Sequence, residues 1–169
     1  MRKNKKPLPY EQALALAASQ CAQCERCESD VHAHLIDWGM TEDEANTIMA
    51  RLKSENYLNE HRFARAYARD KFAFNGWGRQ KIAFMLKGKG VSSEAIAEAT
   101  AAISDDDCRR TLHKLLTAKA RSVAKREPRA ARAALLRLAA SRGFEPNLYF
   151  QAVDQIMSGT DSDDYDEFL

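Results

Sequence analysis

Three evenly spaced cysteines are the first residues of this sequence whose types suggest chemistry. They form Cys21-x-x-Cys24-x-x-Cys27, and thiolates at such spacing bind zinc or iron–sulfur clusters. Residues that could supply a fourth ligand are Cys108, His32 and His34. However, the second Cys-x-x-Cys pair of common zinc sites is missing, and cysteine at the junction of two amphipathic segments commonly packs as a small apolar residue. We therefore expect no metal or other cofactor, and a metal or redox sensor stays an alternative function.

The sequence lacks the other common catalytic motifs. It contains no Walker-type phosphate loop, no His-Glu-x-x-His and no Gly-x-Ser-x-Gly. His61 and His113 are single histidines beside helical apolar stripes, and Gly76-Trp77-Gly78 follows no predicted strand. We therefore expect no catalytic residues and no enzymatic activity.

Arginine and lysine provide a stronger candidate site, a surface for an anionic partner. Residues 59–90 hold eight basic and two acidic residues (+6), and residues 109–142 hold eleven and one (+10), although the whole chain carries only +2. Local charge of this size attracts a polyanion or the acidic surface of a protein. The residues expected to form this basic surface are Arg62, Arg65, Arg69, Arg79, Lys81, Lys87, Lys89, Lys125, Arg126, Arg129 and Arg132. Their types alone do not distinguish nucleic acid from protein.

Three aligned glycines predict the scaffold that carries these residues. Gly39, Gly90 and Gly143 are separated by 51 and 53 residues, a spacing typical of helical repeats. Each glycine follows an amphipathic segment and precedes an apolar residue, then a residue suited to opening a helix. The apolar residues are Met40, Val91 and Phe144, and the opening residues are Thr41, Ser92 and Glu145 with Pro146. Each unit therefore contains a helix that ends at the glycine and a second helix that follows it.

A further, leading helix fits into the remaining length of each period, at residues 9–24, 59–74 and 105–123. In the middle one, Phe63, Tyr67 and Phe74 share one side, while the arginines of the basic surface line another. An ordinary core face opposite a solvated face also explains this pattern. We predict an all-α fold of three tandem three-helix repeats, at 9–57, 58–104 and 105–157, forming an elongated, curved array. A basic N-terminal segment (1–8) and an acidic, disordered tail (158–169) flank the repeats.

The composition predicts a cytoplasmic protein. No stretch of about 18 apolar residues suits a membrane helix, and the N-terminus has no apolar signal core. The spacing of the four cysteines is a poor layout for a secreted disulfide framework. We therefore expect reduced thiols and no membrane partner.

Three segments of the sequence closely resemble the RecX family. They are residues 57–64 (Tyr-Leu-Asn-Glu-His-Arg-Phe-Ala) followed by Tyr67, residues 76–82 (Gly-Trp-Gly-Arg-Gln-Lys-Ile) and residues 86–91 (Leu-Lys-Gly-Lys-Gly-Val). The similarity is strongest over about residues 50–103 and extends more weakly over most of 10–157. Arg79 departs from the family pattern, in which many members have proline, and adds positive charge to the middle unit.

The resemblance implies tandem three-helix repeats, no enzymatic activity, and binding in the groove of the RecA filament. Such proteins restrain strand exchange, ATP hydrolysis or filament growth in homologous recombination, DNA repair and the SOS response. The implied partners are the RecA filament and its single-stranded DNA, bound by a monomer. A free-standing DNA-binding protein that needs no RecA is the other alternative.

Overall fold

A computed structural model describes residues 7–159, and within this range the chain forms nine α-helices and no strand. Their bounds are α1 Tyr10–Gln23, α2 Glu28–Asp37, α3 Glu42–Ser54, α4 Glu60–Asn75, α5 Arg79–Gly88, α6 Ser93–Ala101, α7 Asp105–Val123, α8 Pro128–Arg142 and α9 Pro146–Ser158. The predicted all-α fold with three helices per repeat is confirmed. Most of the predicted N-terminal segment 1–8 and of the tail 158–169 lies outside the described residues, and the elongation and curvature stay predictions.

The three leading helices begin and end within one residue of the predicted bounds. They are α1, α4 and α7, and the last matches its prediction at both ends. Capping side chains define two of the starts: Asn59 accepts a hydrogen bond from the Arg62 amide at 2.9 Å, and Ser104 accepts one from the Asp107 amide at 3.0 Å. Among the described residues, no helix has the length and apolar character needed to cross a bilayer.

The repeat glycines close their helices as predicted. Gly39, Gly90 and Gly143 adopt φ of 92°, 80° and 79°, the left-handed region that costs glycine little. The buried apolar residue after each glycine donates its amide to a carbonyl of the last helical turn, which is the Schellman arrangement. These bonds are Met40 to Leu35 at 3.1 Å, Val91 to Leu86 at 3.2 Å and Phe144 to Ala139 at 3.3 Å. One local motif therefore ends the second helix of every repeat.

The helices after the glycines open by different means. Thr41 forms the predicted capping box with Glu44, since each side chain bonds the other's backbone amide. Ser92 accepts the Ala95 amide at 3.3 Å. Glu145 directly precedes α9 as predicted, but its carboxylate accepts no amide of that helix and bonds the Arg79 guanidinium instead. A proline at the start of α9 needs no such cap.

The chain packs as two compact units. Unit 1 consists of residues 7–66 with Leu86–Glu98, and unit 2 of Tyr67–Met85 with residues 99–159. The core of unit 1 includes the fully buried Leu35, Ile48 and Leu52, from α2 and α3. In unit 2, α7, α8 and α9 contact one another and bury Leu116 and Leu135. Because both units include part of the middle repeat, the predicted repeat boundaries stay predictions.

In unit 2 the start of α5 packs directly on the end of α8. The Gly78 amide donates to the Arg142 carbonyl at 2.7 Å, and the Gln80 amide donates to the Gly143 carbonyl at 3.1 Å. A Cβ added at Gly78 would lie 2.3 Å from the Gly143 carbonyl oxygen. The contact therefore needs glycine at position 78. Its two hydrogen bonds join amides at the start of α5 to carbonyls at the end of α8, which are groups that have no partner within their own helix.

Unit 1 contains a similar joint, meaning a contact in which the start of one helix bonds the carbonyl that precedes a repeat glycine. The Ser29 hydroxyl and the Cys27 thiol donate to the Lys89 carbonyl at 2.9 and 3.4 Å. Lys89 directly precedes Gly90 as Arg142 precedes Gly143, and Cys27 stands twelve residues before Gly39 as Gly78 does before Gly90. The carbonyl before the repeat glycine is therefore a recurring acceptor for the preceding repeat.

Candidate partner-binding surface

Two arginines of the predicted basic surface are engaged inside unit 1. Arg62 bonds Glu25 through Nε at 2.7 Å and Asn56 through its two terminal nitrogens at 2.7 and 3.0 Å. Arg65 lies 2.8 Å from Glu98, whose carboxylate also bonds His61 at 2.6 Å. The bond from His61, together with the charge of Arg65, lowers the pKa of Glu98. Both guanidinium charges are thus partly neutralised within the protein.

Lys89 and Arg79 also contact carboxylates. In unit 1, Lys89 Nζ lies 2.9 Å from Asp30. In unit 2, Arg79 bonds Asp105 at 2.6 Å, Glu145 at 2.8 Å and the Ile103 carbonyl at 3.3 Å, and its side chain is only 23% exposed. Arg79 therefore joins the start of α5 to two other segments of unit 2, and little of its charge faces solvent.

Three further residues of the set keep part of their charge available. Arg132 bonds Asp154 at 2.6 Å. Arg69 contacts the adjacent Asp70 at 3.1 Å, but its side chain is 76% exposed. Lys81 donates to the Ser141 carbonyl at 3.1 Å, and its ammonium group lies 4.7 Å from the centre of the Trp77 ring. Exposed ion pairs of this kind contribute little and can exchange partners.

The remaining four predicted residues are exposed and make no ion pair within the described part of the chain. They are Lys87 in unit 1 and Lys125, Arg126 and Arg129 in unit 2. The last three flank the first turn of α8, where the aligned peptide dipoles already produce positive potential. The Glu127 carboxylate caps the helix by accepting the Ala130 amide at 3.3 Å, so one anionic group already lies at this end. The three neighbouring cations outnumber it, and the local charge stays positive and favours an anionic partner.

The cysteines of the first motif differ in environment. Cys21 and Cys27 are buried and Cys24 is exposed, and all three are free thiols. Burial raises the pKa of Cys21, which disfavours the thiolate that a metal needs. Within residues 7–159, no group of three or more Cys, His, Asp or Glu side chains is arranged to hold a metal ion. The buried thiols occupy core positions.

Sequence reasoning missed an aromatic and basic cluster on α4 and α5. Phe74, predicted to share a face with the buried Phe63, is 85% exposed, and Phe84 is 75% exposed. Lys71 and Lys81 both have their ammonium groups near the Trp77 ring, at 5.1 and 4.7 Å from its centre. The periodicity of α4 is correct, but no described segment covers Phe74. The alternation of lysine and aromatic residues over 71–84 is the signal that identifies the cluster in the sequence.

Comparisons with known proteins agree on one family. Residues 59–99 match the family model described as RecX, second three-helix domain. The regulatory protein RecX of Lactobacillus johnsonii is 25% identical over 169 residues, which cover 100% of this chain and 62% of that protein. The regulatory protein RecX of Xanthomonas axonopodis pv. citri is 31% identical over 105 residues, which cover 62% of each chain. The chain thus spans less than two thirds of the length of these curated relatives.

A solved structure shares the fold. The crystal structure of RecX from Lactobacillus salivarius superposes with a TM-score of 0.78 and 16% sequence identity, and the match covers 87% of this chain and 96% of that chain. At this identity the likeness concerns the fold alone.

Proposed function

We propose that this chain, which is similar to RecX proteins in sequence and fold, binds the RecA filament on DNA and restrains RecA activity. It acts by occupying a surface, as a monomer in the cytoplasm, and catalyses no reaction. The expected setting is homologous recombination, DNA repair and the SOS response.

The observation that carries the proposal is the set of exposed cations at the start of α8, namely Lys125, Arg126 and Arg129. None of the three makes an ion pair within the described residues, in contrast to Arg62, which bonds Glu25 inside unit 1. A nucleoprotein filament presents both DNA phosphates and acidic protein surface, and either neutralises these charges. We therefore assign the strongest contacts to these three residues, and a weaker share to the exposed Arg69.

The proposal is tested by the ATPase activity of RecA on single-stranded DNA. Wild-type protein is expected to lower the rate in proportion to its concentration. Replacing Lys125, Arg126 and Arg129 together by Gln is expected to raise the concentration needed for half-inhibition by about tenfold, because each exposed charge contact contributes about 0.2–1 kcal/mol.

A matched control removes three other exposed positive charges. Arg51, Arg109 and Arg110 each pair with a carboxylate on or next to their own helix, and their joint replacement by Gln is expected to leave inhibition unchanged. No effect of the wild-type protein on the ATPase at stoichiometric amounts contradicts the proposal. Equal loss in both triple variants contradicts the assignment of the site.

A further inference from the structure

Two phenylalanines of unit 2 are far more exposed than the other large apolar side chains. Phe74 near the end of α4 is 85% exposed and Phe84 in α5 is 75% exposed, whereas the next in order, Phe150, is 45% exposed. Exposure of this degree leaves most of each side chain accessible to a partner. Large exposed apolar groups beside charged residues commonly mark a binding site.

Each of these phenylalanines has a lysine one helical turn before it. Lys71 precedes Phe74 on α4, and Lys81 precedes Phe84 on α5, so each pair shares a helix face. Both ammonium groups lie at the ring of Trp77, which holds them by cation–π contacts. Neither lysine has a carboxylate partner within the described residues. The cluster therefore presents two exposed rings beside two cations that remain able to pair with anions.

We propose that Phe74, Phe84, Lys71 and Lys81 form a stacking site for the unpaired bases of single-stranded DNA. Aromatic rings that stack on bases, interleaved with cations that contact phosphates, are the elements of single-strand recognition. The inference rests on the proposed function for its setting, since the filament contains such a strand. It goes further by naming the contact chemistry and by adding Phe74, Phe84 and Lys71, which lie outside the predicted basic surface, to Lys81, which belongs to it.

The chemistry of the cluster favours a nucleic acid over a protein partner. Lysine is depleted in protein–protein interfaces, where arginine accompanies aromatic anchors, but it pairs readily with phosphate as a point charge. The two phenylalanines carry no hydrogen-bonding groups that could read a base edge. We therefore expect binding with little sequence preference and a strong preference for single strands, because duplex DNA hides the faces of its bases.

The test uses the full-length protein without RecA, so that it is independent of the proposed regulation. Fluorescence anisotropy would compare a 20-nucleotide oligo(dT), an abasic strand of equal length and charge, and a 20-base-pair duplex. Wild-type protein is expected to bind oligo(dT) most tightly. The double variant Phe74→Ala/Phe84→Ala is expected to bind oligo(dT) at least about tenfold more weakly, given the usual contribution of base stacking, and to bind the abasic strand unchanged.

Two further variants separate stacking from charge. Phe150→Ala removes an exposed phenylalanine from α9 and is expected to change nothing. Lys71→Gln/Lys81→Gln is expected to reduce the slope of log affinity against log salt by about 0.7 for each phosphate that is no longer neutralised, whereas the phenylalanine variant keeps the wild-type slope. Because all these side chains are partly or highly exposed, the variants are expected to retain the wild-type circular dichroism spectrum.

Three results would overturn the proposal. They are equal affinity of the wild type for oligo(dT) and the abasic strand, undetectable binding of oligo(dT), and wild-type affinity in the phenylalanine variant. If that variant keeps its affinity for oligo(dT) but loses inhibition of RecA, the rings contact protein, and the stacking site is wrong although the proposed regulation holds. If stacking is observed but RecA is unaffected, the stacking site holds and only the regulation fails.

Discussion

Replacing Gly78 by Ala is the sharpest perturbation of the joint between α5 and α8. The added Cβ would lie 2.3 Å from the Gly143 carbonyl oxygen, 2.5 Å from its carbon and 2.6 Å from the Phe144 nitrogen. All three are backbone atoms, which cannot move aside as a flexible side chain can. The residue itself tolerates Ala, because its φ is not in the left-handed region. The cost is therefore steric.

The magnitude follows from the contacts at the joint. Overpacking of this kind costs about 1–3 kcal/mol, and moving α5 away weakens two hydrogen bonds of about 1 kcal/mol each. Loss of glycine from the unfolded chain recovers about 0.4–1 kcal/mol. We expect the free energy of unfolding to fall by about 2–4 kcal/mol, which corresponds to a decrease in Tm of about 5–15 °C for a chain of this size.

Urea denaturation followed by circular dichroism at 222 nm measures this change, and Gly88→Ala provides a matched control. Gly88 is the last residue of α5, and a Cβ there would meet nothing within 4 Å. The control is expected to keep or raise stability by up to about 1 kcal/mol, as Ala is the better helix former. If Gly78→Ala unfolds at the same urea concentration as the wild type, or a higher one, the proposed packing at the joint is refuted.

Three further predictions concern single side chains. Arg79→Ala should lower the free energy of unfolding in the same assay by about 1–3 kcal/mol, since two carboxylates of unit 2 lose their shared guanidinium; a change below about 0.5 kcal/mol would contradict a structural role. Iodoacetamide should modify Cys24 alone in the native protein, because the other three cysteines are buried and burial raises the pKa of Cys108 to about 11; native-state labelling of Cys108, read by mass spectrometry, would be inconsistent with its burial. Two hydrogen bonds from Ser92 lower the pKa of Glu60, so their contribution to stability is present above the ordinary pKa of a glutamate and is lost as pH falls through the lowered value. The stability difference between wild type and Glu60→Gln should therefore shrink from pH 7 to pH 3, and a constant difference would rule this linkage out.

Local signals were sufficient to predict the helices. A capping serine marks the start of α7. The second helix of each repeat ends at a glycine because the chain adopts a left-handed backbone conformation there, which glycine adopts most easily. These signals act over a few residues, so that a single sequence contains all the information needed. The resemblance to the RecX family followed in the same way, from three short segments within residues 57–91.

Contacts between distant residues were the part that could not be predicted. The sequence places Arg79 in a basic block, but its partners Asp105 and Glu145 stand 26 and 66 positions away. Charge per segment therefore overestimated the charge available to a partner. Likewise, the period of α4 predicts which side Phe74 faces but not whether another element covers that side. Only the tertiary packing distinguishes a buried ring from an exposed one.

Binding to a preformed filament tests the central claim most directly. Fluorescently labelled protein would be titrated with RecA filaments assembled on single-stranded DNA with a non-hydrolysable ATP analogue, with free RecA and DNA alone as references. We expect saturable binding to the filament, tighter than to either component, and weakened about tenfold when Lys125, Arg126 and Arg129 are replaced by Gln. Filament binding that is undetectable, or no tighter than binding to bare DNA, would contradict the claim and favour a free-standing DNA-binding protein.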